Sequence, residues 1–231
     1  MKVLCYNIKA GVGISGGLFS FLNYFKPASK ISQIAGMLAK SKADIIGLVE
    51  VDTGSFRSKD QAKYVTQKLG YNHISTNKRN WTSNFQVLWH QQLAILTRYP
   101  ILETKEHWFS VGFNRLALEA ILQIGKNKIS VILTHLSPYS FGAKTRKIQI
   151  KELTGIISKI KRKVILLGDF NQEHLAIPNL KTCGPLKTFP SWKPDRQLDY
   201  IFVNKSAHVK SANITPCLFS DHLPLYAELE L

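Results

Sequence analysis

The chain has 231 residues, which suit one domain predicted over 1–231, and its 45% hydrophobic content supports a globular core. Lys and Arg number 31 against 15 Asp and Glu, and the formal net charge of +16 predicts a polyanionic partner, with nucleic acid ahead of an anionic membrane surface. The three widely spaced cysteines argue against a disulfide framework or a zinc knuckle, and no apolar stretch is long enough to cross a bilayer.

Short apolar runs, many of them rich in Val, Ile and aromatic residues, predict a chain made mainly of strands. The predicted strands are Lys2–Tyr6, Ile45–Val49, Asn72–Ser75, Gln86–Trp89, Leu93–Thr97, Ile101–Lys105, Leu116–Ile124, Lys128–Leu133, Val164–Leu167, Tyr200–Val203, Val209–Asn213 and Tyr226–Glu230. The predicted helices are Ser29–Ser41, Ser58–Leu69 and Ala143–Lys159, and Gly125–Lys128 is predicted to form a hairpin turn. Many strands with few helices indicate two packed sheets flanked by helices.

Polar side chains that can take part in catalysis lie at the ends of these apolar runs. They are Asn7 after VLCY, Glu50 after IIGLV, His135 after ISVILT, Asp169 after VILLG, and Asp221 with His222 just before the last strand. Strands side by side in a sheet would bring these ends together, and ligands commonly bind at the carboxyl ends of strands in α/β folds. The pattern therefore predicts one site at a sheet edge.

The oxygen-bearing members of this set favour a hard divalent cation. Glu50 and Asp221 are carboxylates, and with the amide oxygen of Asn7 they suit Mg²⁺ or Mn²⁺. Taken singly, a carboxylate or an amide after a strand is more often an ordinary loop or turn residue, so the prediction depends on the whole set.

The remaining members favour proton and phosphate chemistry. Asp199 enters an apolar run, and a buried carboxylate needs a partner, for which a histidine is well suited. Asp169 and Asn171 lie at positions i and i+2, and they would point the same way if the strand geometry continued. An aspartate there could orient or deprotonate water, and an asparagine could donate to a phosphate oxygen. The ensemble predicts metal-assisted phosphoester hydrolysis by direct water attack.

Seven stretches in order carry a resemblance to a known group. They are YNIKAG, IIGLVEVD, LAILTRYPI, THLSP, GDFNQ, LDYIFV and SDHLPL. The chain resembles the endonuclease/exonuclease/phosphatase superfamily from Val3 to the C-terminus, and in particular a bacterial subgroup of uncertain substrate. That group includes deoxyribonuclease I, exonuclease III-like enzymes, inositol polyphosphate 5-phosphatases and sphingomyelinases. The resemblance implies a four-layer α/β/β/α sandwich of two mixed, mainly antiparallel sheets.

The resemblance also implies a role for each matched residue. Glu50 would be the main metal ligand, with Asn7 and Asp221 close to the metal. Asp169 would orient the attacking water, and His222, paired with Asp199, would stabilise the transition state. The implied phosphate contacts are Asn171, His135 and Arg115, the last in FNRLALEA where some relatives have such an arginine.

Two features of the chain depart from particular relatives. Lys9 stands where close relatives often have His, which bears on substrate contacts. His135 in THLSP favours the deoxyribonuclease I, phosphatase and sphingomyelinase branches over the exonuclease III branch, which usually has Tyr there.

The sequence leaves the substrate open between two classes. A DNA nuclease is favoured by the net charge of +16, by the basic–aromatic stretch Asn77–Trp81, and by Lys144, Arg146, Lys147 and Lys151 on one predicted helix. A phospholipid-headgroup or inositol-phosphate phosphodiesterase is favoured by the apolar stretch Gly16–Phe25, whose aromatics could enter a membrane interface or simply pack as core. A non-catalytic polyanion-binding module is the third alternative. We expect a monomer without an obligate protein partner, with no signal peptide, in the cytoplasm.

Overall fold

The computed structural model describes residues 1–14, 28–55, 58–76, 92–138 and 142–230. Its helices are α1 (Ile31–Ser41), α2 (Gln61–Leu69) and α3 (Gly142–Ser158), with a short 3₁₀ helix at Lys9–Gly11. Its strands are β1 (Lys2–Asn7), β2 (Ile45–Val51), β3 (Asn72–Ser75), β4 (Gln92–Thr97), β5 (Ile101–Trp108), β6 (Leu116–Ile124), β7 (Asn127–His135), β8 (Lys163–Asp169), β9 (Leu180–Thr182), β10 (Asp199–Asn204), β11 (His208–Ile214) and β12 (Leu225–Glu230). In this part of the chain no helix combines the length and apolarity needed to span a bilayer.

The strands form two six-stranded mixed sheets. The first sheet has the order β11-β12-β1-β2-β4-β3, and the second has the order β5-β6-β7-β8-β10-β9. Only β1–β2 in the first sheet and β7–β8 in the second are parallel among the described pairs, and every other pair is antiparallel. The predicted mixed, mainly antiparallel architecture is therefore confirmed.

Alternation along the strands creates the four layers. Val3 and Cys5 of β1 face the core between the two sheets, whereas Leu4 and Tyr6 face the opposite side. The outer face of the first sheet packs against α1 and α2, and the outer face of the second packs against α3. Side chains along a strand point alternately to its two faces. Because both faces of these strands are buried, the strands are apolar at nearly every position.

Two glycines allow close packing, one between the two sheets and one between neighbouring strands. A Cβ on Gly47 of β2 would lie 2.5 Å from Leu167 of the facing sheet, so its absence lets the two sheets approach. A Cβ on Gly168 of β8 would collide with the carbonyl oxygen of Thr134 on the neighbouring strand. Gly168 therefore requires glycine because the obstacle is backbone, whereas a side chain at Gly47 would have to displace leucine side chains.

A partly buried polar network supports the second sheet away from the carboxyl ends of β7 and β8. Oε1 of Glu119 accepts hydrogen bonds from Ser130 Oγ at 2.7 Å and from Arg162 Nη2 at 3.1 Å. Oε2 lies 2.9 Å from His107 Nε2. Burial raises the pKa of Glu119, but these hydrogen bonds outweigh it and hold that pKa below its ordinary value. We call these four residues the Glu119 network.

Most predicted elements agree with the structure to within a few residues. Strand Asn72–Ser75 is reproduced, and the predicted hairpin turn joins β6 to β7, with Ile124 paired to Asn127. The short strand β9 and the 3₁₀ helix were not predicted, because each has only three residues and no periodic pattern. The predicted strand Gln86–Trp89 and the stretches Gly16–Phe25 and Asn77–Trp81 lie outside the described residues. The single domain over 1–231 stays a prediction.

Candidate active site

The register of the second sheet places three predicted site residues in one row. β7 ends at His135 and β8 ends at Asp169, and these two residues pair across the parallel ladder. β10 begins at Asp199, which pairs with Asp169 across the antiparallel ladder. Strand polarity therefore brings the three side chains to the same edge of the sheet.

The first sheet contributes Asn7 and Glu50 to the same place. Asn7, the last residue of β1, pairs with Val49 of β2, so Glu50 follows directly beside it. Glu50 has a φ of 57°, and it lies where the register of β2 against β4 shifts between Leu48 and Val51. A left-handed residue inside a bulge re-aims a side chain, and such strained positions cluster at functional sites.

Asn7 joins the two sheets through its side-chain amide. Its Nδ2 donates to Oε1 of Glu50 at 3.3 Å and to Oδ2 of Asp169 at 3.0 Å. Its Oδ1 accepts the backbone N–H of Lys9 at 3.1 Å. The amide therefore orients two carboxylates from different sheets, while the predicted role of its oxygen as a metal ligand stays a prediction.

Asp169 is a buried carboxylate at the centre of the cluster. Its Oδ1 accepts the backbone N–H of Asn171 at 2.9 Å, and its Oδ2 lies 3.6 Å from His135 Nε2 and 3.7 Å from His222 Nε2. Burial and the charge of Asp199 raise the pKa of Asp169 to about 7, although the positive charge on His222 works against them. A carboxylate with a pKa near neutrality can accept a proton from water.

The two histidines have opposite protonation behaviour. Burial lowers the pKa of His135 well below its ordinary value, and the positive charges of Arg115 and His222 lower it further, so His135 is neutral at pH 7. Burial acts in the same direction on His222, but the charges of Asp199 and Asp169 outweigh it and raise its pKa to about 10. The site therefore holds one neutral and one charged imidazole ring.

The Asp199–His222 pair was expected from the resemblance, and the structure brings the two residues together. His222 Nδ1 lies 2.7 Å from Asp199 Oδ2, and Thr188 Oγ1 donates to the same oxygen at 2.6 Å. Asp199 is fully buried, and the ring of Phe189 packs against His222 with centroids 4.9 Å apart. The pair is thus held in one orientation with Nε2 facing Asp169.

Asp221 also reaches the site, but the ammonium group of Lys9 already occupies one of its oxygens. Lys9 Nζ lies 2.6 Å from Asp221 Oδ2. Ser220 Oγ lies 3.3 Å from Oδ1 and donates its proton to the carbonyl oxygen of Asn7 at 2.7 Å. Sequence reasoning recognised Lys9 only as a departure from relatives. No local signal could have revealed the ion pair, because its partner is 212 residues away.

Arg115 and Asn171 lie beside the cluster. The positive charge of Arg115 helps to lower the pKa of His135 and partly opposes the burial that raises the pKa of Glu50, which locates Arg115 at this edge. The condition that strand geometry continues from Asp169 to Asn171 is not met, because β8 ends at Asp169 and Asn171 has a φ of 48°. Its Nδ2 donates to the carbonyl oxygen of Leu136 at 3.1 Å, so this turn fastens β8 to the residue after β7.

Arg146 on α3 is a second difference from the expectation. It was grouped with the phosphate-neutralising lysines, but it is 2% exposed and donates to the carbonyl oxygens of Ser137 and Pro138. Its neighbour Gln149 accepts the Ser137 backbone N–H at 3.0 Å. Both side chains therefore support the loop after His135, and the exposed basic residues of α3 are its lysines.

Two sets of side chains offer donors for a cation. Asp169, Asp199 and His222 have ligand atoms within 4.8 Å of one another. However, Asp199 Oδ2 and His222 Nδ1 already bond to each other, so an ion there would have to displace a charge-assisted hydrogen bond. Glu50 fits a divalent cation better, because its carboxylate offers hard oxygen ligands and takes no part in the Asp199–His222 hydrogen bond. Burial and the nearby charge of Asp221 raise its pKa.

Comparison with known proteins shows the family of this chain. The model of the endonuclease/exonuclease/phosphatase family matches residues 5–222. The chain belongs to this family. A search of curated proteins gives no significant match. Family members are metal-dependent phosphoesterases, and the chain is accordingly a hydrolase of phosphoester bonds.

Solved structures share the fold at low sequence identity. The mannosyl-6-phosphatase of Bacteroides thetaiotaomicron is 19% identical with a TM-score of 0.75, and 100% of each chain is covered. The catalytic domain of human Nocturnin with bound sulfate is 20% identical with a TM-score of 0.73, covering 100% of this chain and 93% of that one. A humanised D. rerio TDP2 is 15% identical with a TM-score of 0.72, covering 100% and 99%. At these identities the likeness shows the fold alone.

Proposed function

We propose that the chain is a Mg²⁺-dependent phosphodiester hydrolase that cleaves DNA as an endonuclease, by attack of water on the phosphate. The observation that carries the chemistry is the position of Asp169 between two histidines. Its Oδ2 lies 3.6 Å from a neutral ring and 3.7 Å from a charged ring. A proton acceptor and two different phosphate contacts thus face one small space.

Asp169 acts as the general base. Its pKa of about 7 means that a large fraction is ionised at neutral pH, yet the carboxylate still binds a proton well. The backbone N–H of Asn171 and the amide of Asn7 each bond to one of its oxygens, so the base is held in a fixed direction. Such fixed positioning accounts for much of the catalysis of phosphoryl transfer.

The histidines act on the phosphate oxygens. The charged ring of His222, held by Asp199 at 2.7 Å, stabilises negative charge that develops in the transition state. His135 is neutral, so its ring contacts the phosphate as a hydrogen-bonding group without adding a charge. Arg115 supplies a further positive charge on this side.

Glu50 would hold the divalent cation, with Asn7 and Asp221 beside it. Mg²⁺, or Mn²⁺ in its place, would polarise a phosphate oxygen and neutralise charge when bound. The protein's part is to present a half-buried carboxylate whose direction is set by the bulge in β2 and by the Asn7 amide at 3.3 Å.

The preference for DNA is supported by charge and by exposed side chains. The chain carries +16 formal charges, and Lys144, Lys147 and Lys151 are exposed on α3. Trp192 is 50% exposed and follows Ser191, whose backbone N–H donates to the carbonyl oxygen of Asp221 at 2.8 Å. Basic residues that neutralise phosphates and an aromatic surface on which bases can stack suit a polynucleotide.

The second candidate is a phospholipid-headgroup or inositol-phosphate phosphodiesterase or phosphatase. It is supported by the apolar stretch Gly16–Phe25, whose aromatic residues suit a membrane interface. The same fold occurs in a protein named as a mannosyl-6-phosphatase, a name that refers to a small phosphate ester. The chemistry at Asp169 and His222 would be the same.

In the test, purified protein with Mg²⁺ is incubated with each substrate in parallel. The substrates are supercoiled plasmid DNA, anionic and sphingomyelin vesicles, inositol phosphates and a sugar phosphate. We expect nicking of the plasmid that is abolished by EDTA and by Asp169→Ala. An intact plasmid together with rapid release of a lipid headgroup or of inorganic phosphate would overturn the nuclease proposal and support the second candidate. Loss of nicking at high salt would further indicate that phosphate contacts dominate binding.

A further inference from the structure

Gln149 on α3 joins the two loops that lie next to His135 and Arg115. Its side chain is fully buried. Oε1 accepts the backbone N–H of Ser137 at 3.0 Å, while Nε2 donates to the carbonyl oxygen of Val111 at 2.9 Å and to Ser137 Oγ at 3.0 Å. Because the amide has two hydrogens and both are donated, the contacts fix its orientation and tie the two loops to one side chain.

The loop after β7 is also held by contacts that do not involve Gln149. The backbone N–H of Leu136 donates to the carbonyl oxygen of Asp169 at 2.9 Å, and the carbonyl oxygen of Leu136 accepts from Asn171 Nδ2 at 3.1 Å. Arg146 donates to two further carbonyl oxygens of this loop. These contacts remain when the Gln149 amide is removed, so this loop is the fixed end of the connection.

The loop of residues 109–115, between β5 and β6, depends more directly on α3. The backbone N–H of Ser110 donates to Oε2 of Glu152 at 3.0 Å, and the Ser110 hydroxyl donates to the other oxygen of that carboxylate. Gly112 has a φ of 84°, and a Cβ there would collide with the side-chain amide of Gln149. The loop therefore packs directly on two side chains that lie one helical turn apart.

We propose that Gln149 is a positioning residue that aims Arg115 at the phosphate. The backbone N–H of Phe109 donates to the carbonyl oxygen of Arg115 at 3.0 Å and closes the base of the loop, so the direction of Arg115 follows the direction of the loop. Burial and the positive charge of Arg115 lower the pKa of His135, which places Arg115 beside the cluster. A charged donor held in advance stabilises a transition state without reorganisation. This inference rests on the proposed function, since it takes Arg115 to contact the phosphate.

The test is a double-mutant cycle on kcat for hydrolysis of bis(4-nitrophenyl) phosphate with Mg²⁺. Gln149→Met keeps the length of the side chain and removes every hydrogen bond of the amide. We expect kcat to fall about 10²-fold in Arg115→Ala and about tenfold in Gln149→Met. In the Arg115→Ala background, Gln149→Met should lower kcat by less than about twofold, because the group that Gln149 positions is already absent.

Two further measurements separate positioning from a general loss of stability. Glu119→Gln, in the Glu119 network of the same sheet, should lower the melting temperature and leave kcat unchanged. Amide hydrogen exchange of residues 109–115 should become faster in Gln149→Met, whereas exchange of β7 should not change. Gly112→Ala displaces the loop and keeps the Gln149 amide, so it replaces Gln149→Met in the cycle if the latter has no cooperative thermal transition.

The outcomes distinguish this inference from the proposed function. With an active wild type, a folded Gln149→Met variant that lowers kcat equally in both backgrounds, or not at all, would overturn the role of Gln149 and leave the phosphoesterase proposal standing. Unchanged exchange of residues 109–115, or an Arg115→Ala variant with the kcat of the wild type, would do the same. A wild type that hydrolyses neither this diester nor plasmid DNA would overturn both.

Discussion

The charge on His222 depends on Asp199, and Asp199→Asn tests that dependence. The substitution keeps the size of the side chain and removes one negative charge 2.7 Å from the ring. The pKa of His222 is raised to about 10 from an ordinary 6.5. At about 1.4 kcal/mol per pKa unit, that difference corresponds to about 5 kcal/mol favouring the charged ring, an order-of-magnitude figure shared among all the nearby carboxylates.

Asp199→Asn removes the largest of the charges that oppose burial, although those of Asp169 and Asp221 remain, and we expect the pKa of His222 to fall below 7. We expect kcat for hydrolysis of bis(4-nitrophenyl) phosphate at pH 7 to fall roughly 10²- to 10³-fold, the usual loss when a charged transition-state contact is removed. The loss should grow as the pH rises from 5 to 7, because the variant ring loses its proton in that range. Nuclear magnetic resonance of ring-labelled histidine measures the pKa directly in metal-free protein.

The same shift has a consequence for stability. Because the folded pKa of His222 lies above the unfolded one, its contribution is fully present below about pH 6.5 and is lost as the pH rises through about 10. Thr188→Val is the matched control, since it removes the other hydrogen bond to Asp199, at 2.6 Å, and keeps the charge. A folded Asp199→Asn variant with kcat within threefold of the wild type and a His222 pKa still near 10 would refute the reasoning.

Three further predictions concern single positions. Asp169→Asn should lower kcat about 10³-fold. It should also abolish the rise in kcat/KM that we expect for the wild type as the pH passes through about 7, where Asp169 becomes ionised. Profiles of kcat and kcat/KM against pH measure both effects. Glu119→Gln should destabilise the protein by about 2 kcal/mol at pH 7 in urea unfolding, because it weakens charge-assisted hydrogen bonds of the Glu119 network. The pKa of Glu119 is lowered in the folded state, so its contribution to the free energy of unfolding is present above about pH 4.5 and is lost as the pH falls through the folded pKa. A stability difference between wild type and Glu119→Gln that is undiminished at pH 3 would contradict this account. Gly168→Ala should cost about 3 kcal/mol or more, because its Cβ meets the backbone of Thr134, and a melting temperature equal to that of the wild type would contradict the close approach.

Much of the site could be predicted because its members follow apolar strands. Asn7, Glu50, His135 and Asp169 each come at or near the end of a buried strand, and the pairing of His135 with Asp169 follows from the parallel arrangement of β7 and β8. The side-chain roles could not be derived in the same way. Arg146 belongs to a basic stretch by sequence, but the fold turns it inward to the loop after His135.

Local patterns in the amino-acid sequence predict which segments are strands and which chemical groups follow them, since hydrophobicity and side-chain period act over a few residues. The order of the motifs along the chain predicts the family. The folded structure was needed to learn that Lys9 pairs with Asp221, that Glu50 lies in a left-handed bulge, and that Asn171 leaves the strand. Each of these depends on contacts between segments distant along the chain, where burial and charge act through space and no spacing along the sequence records them.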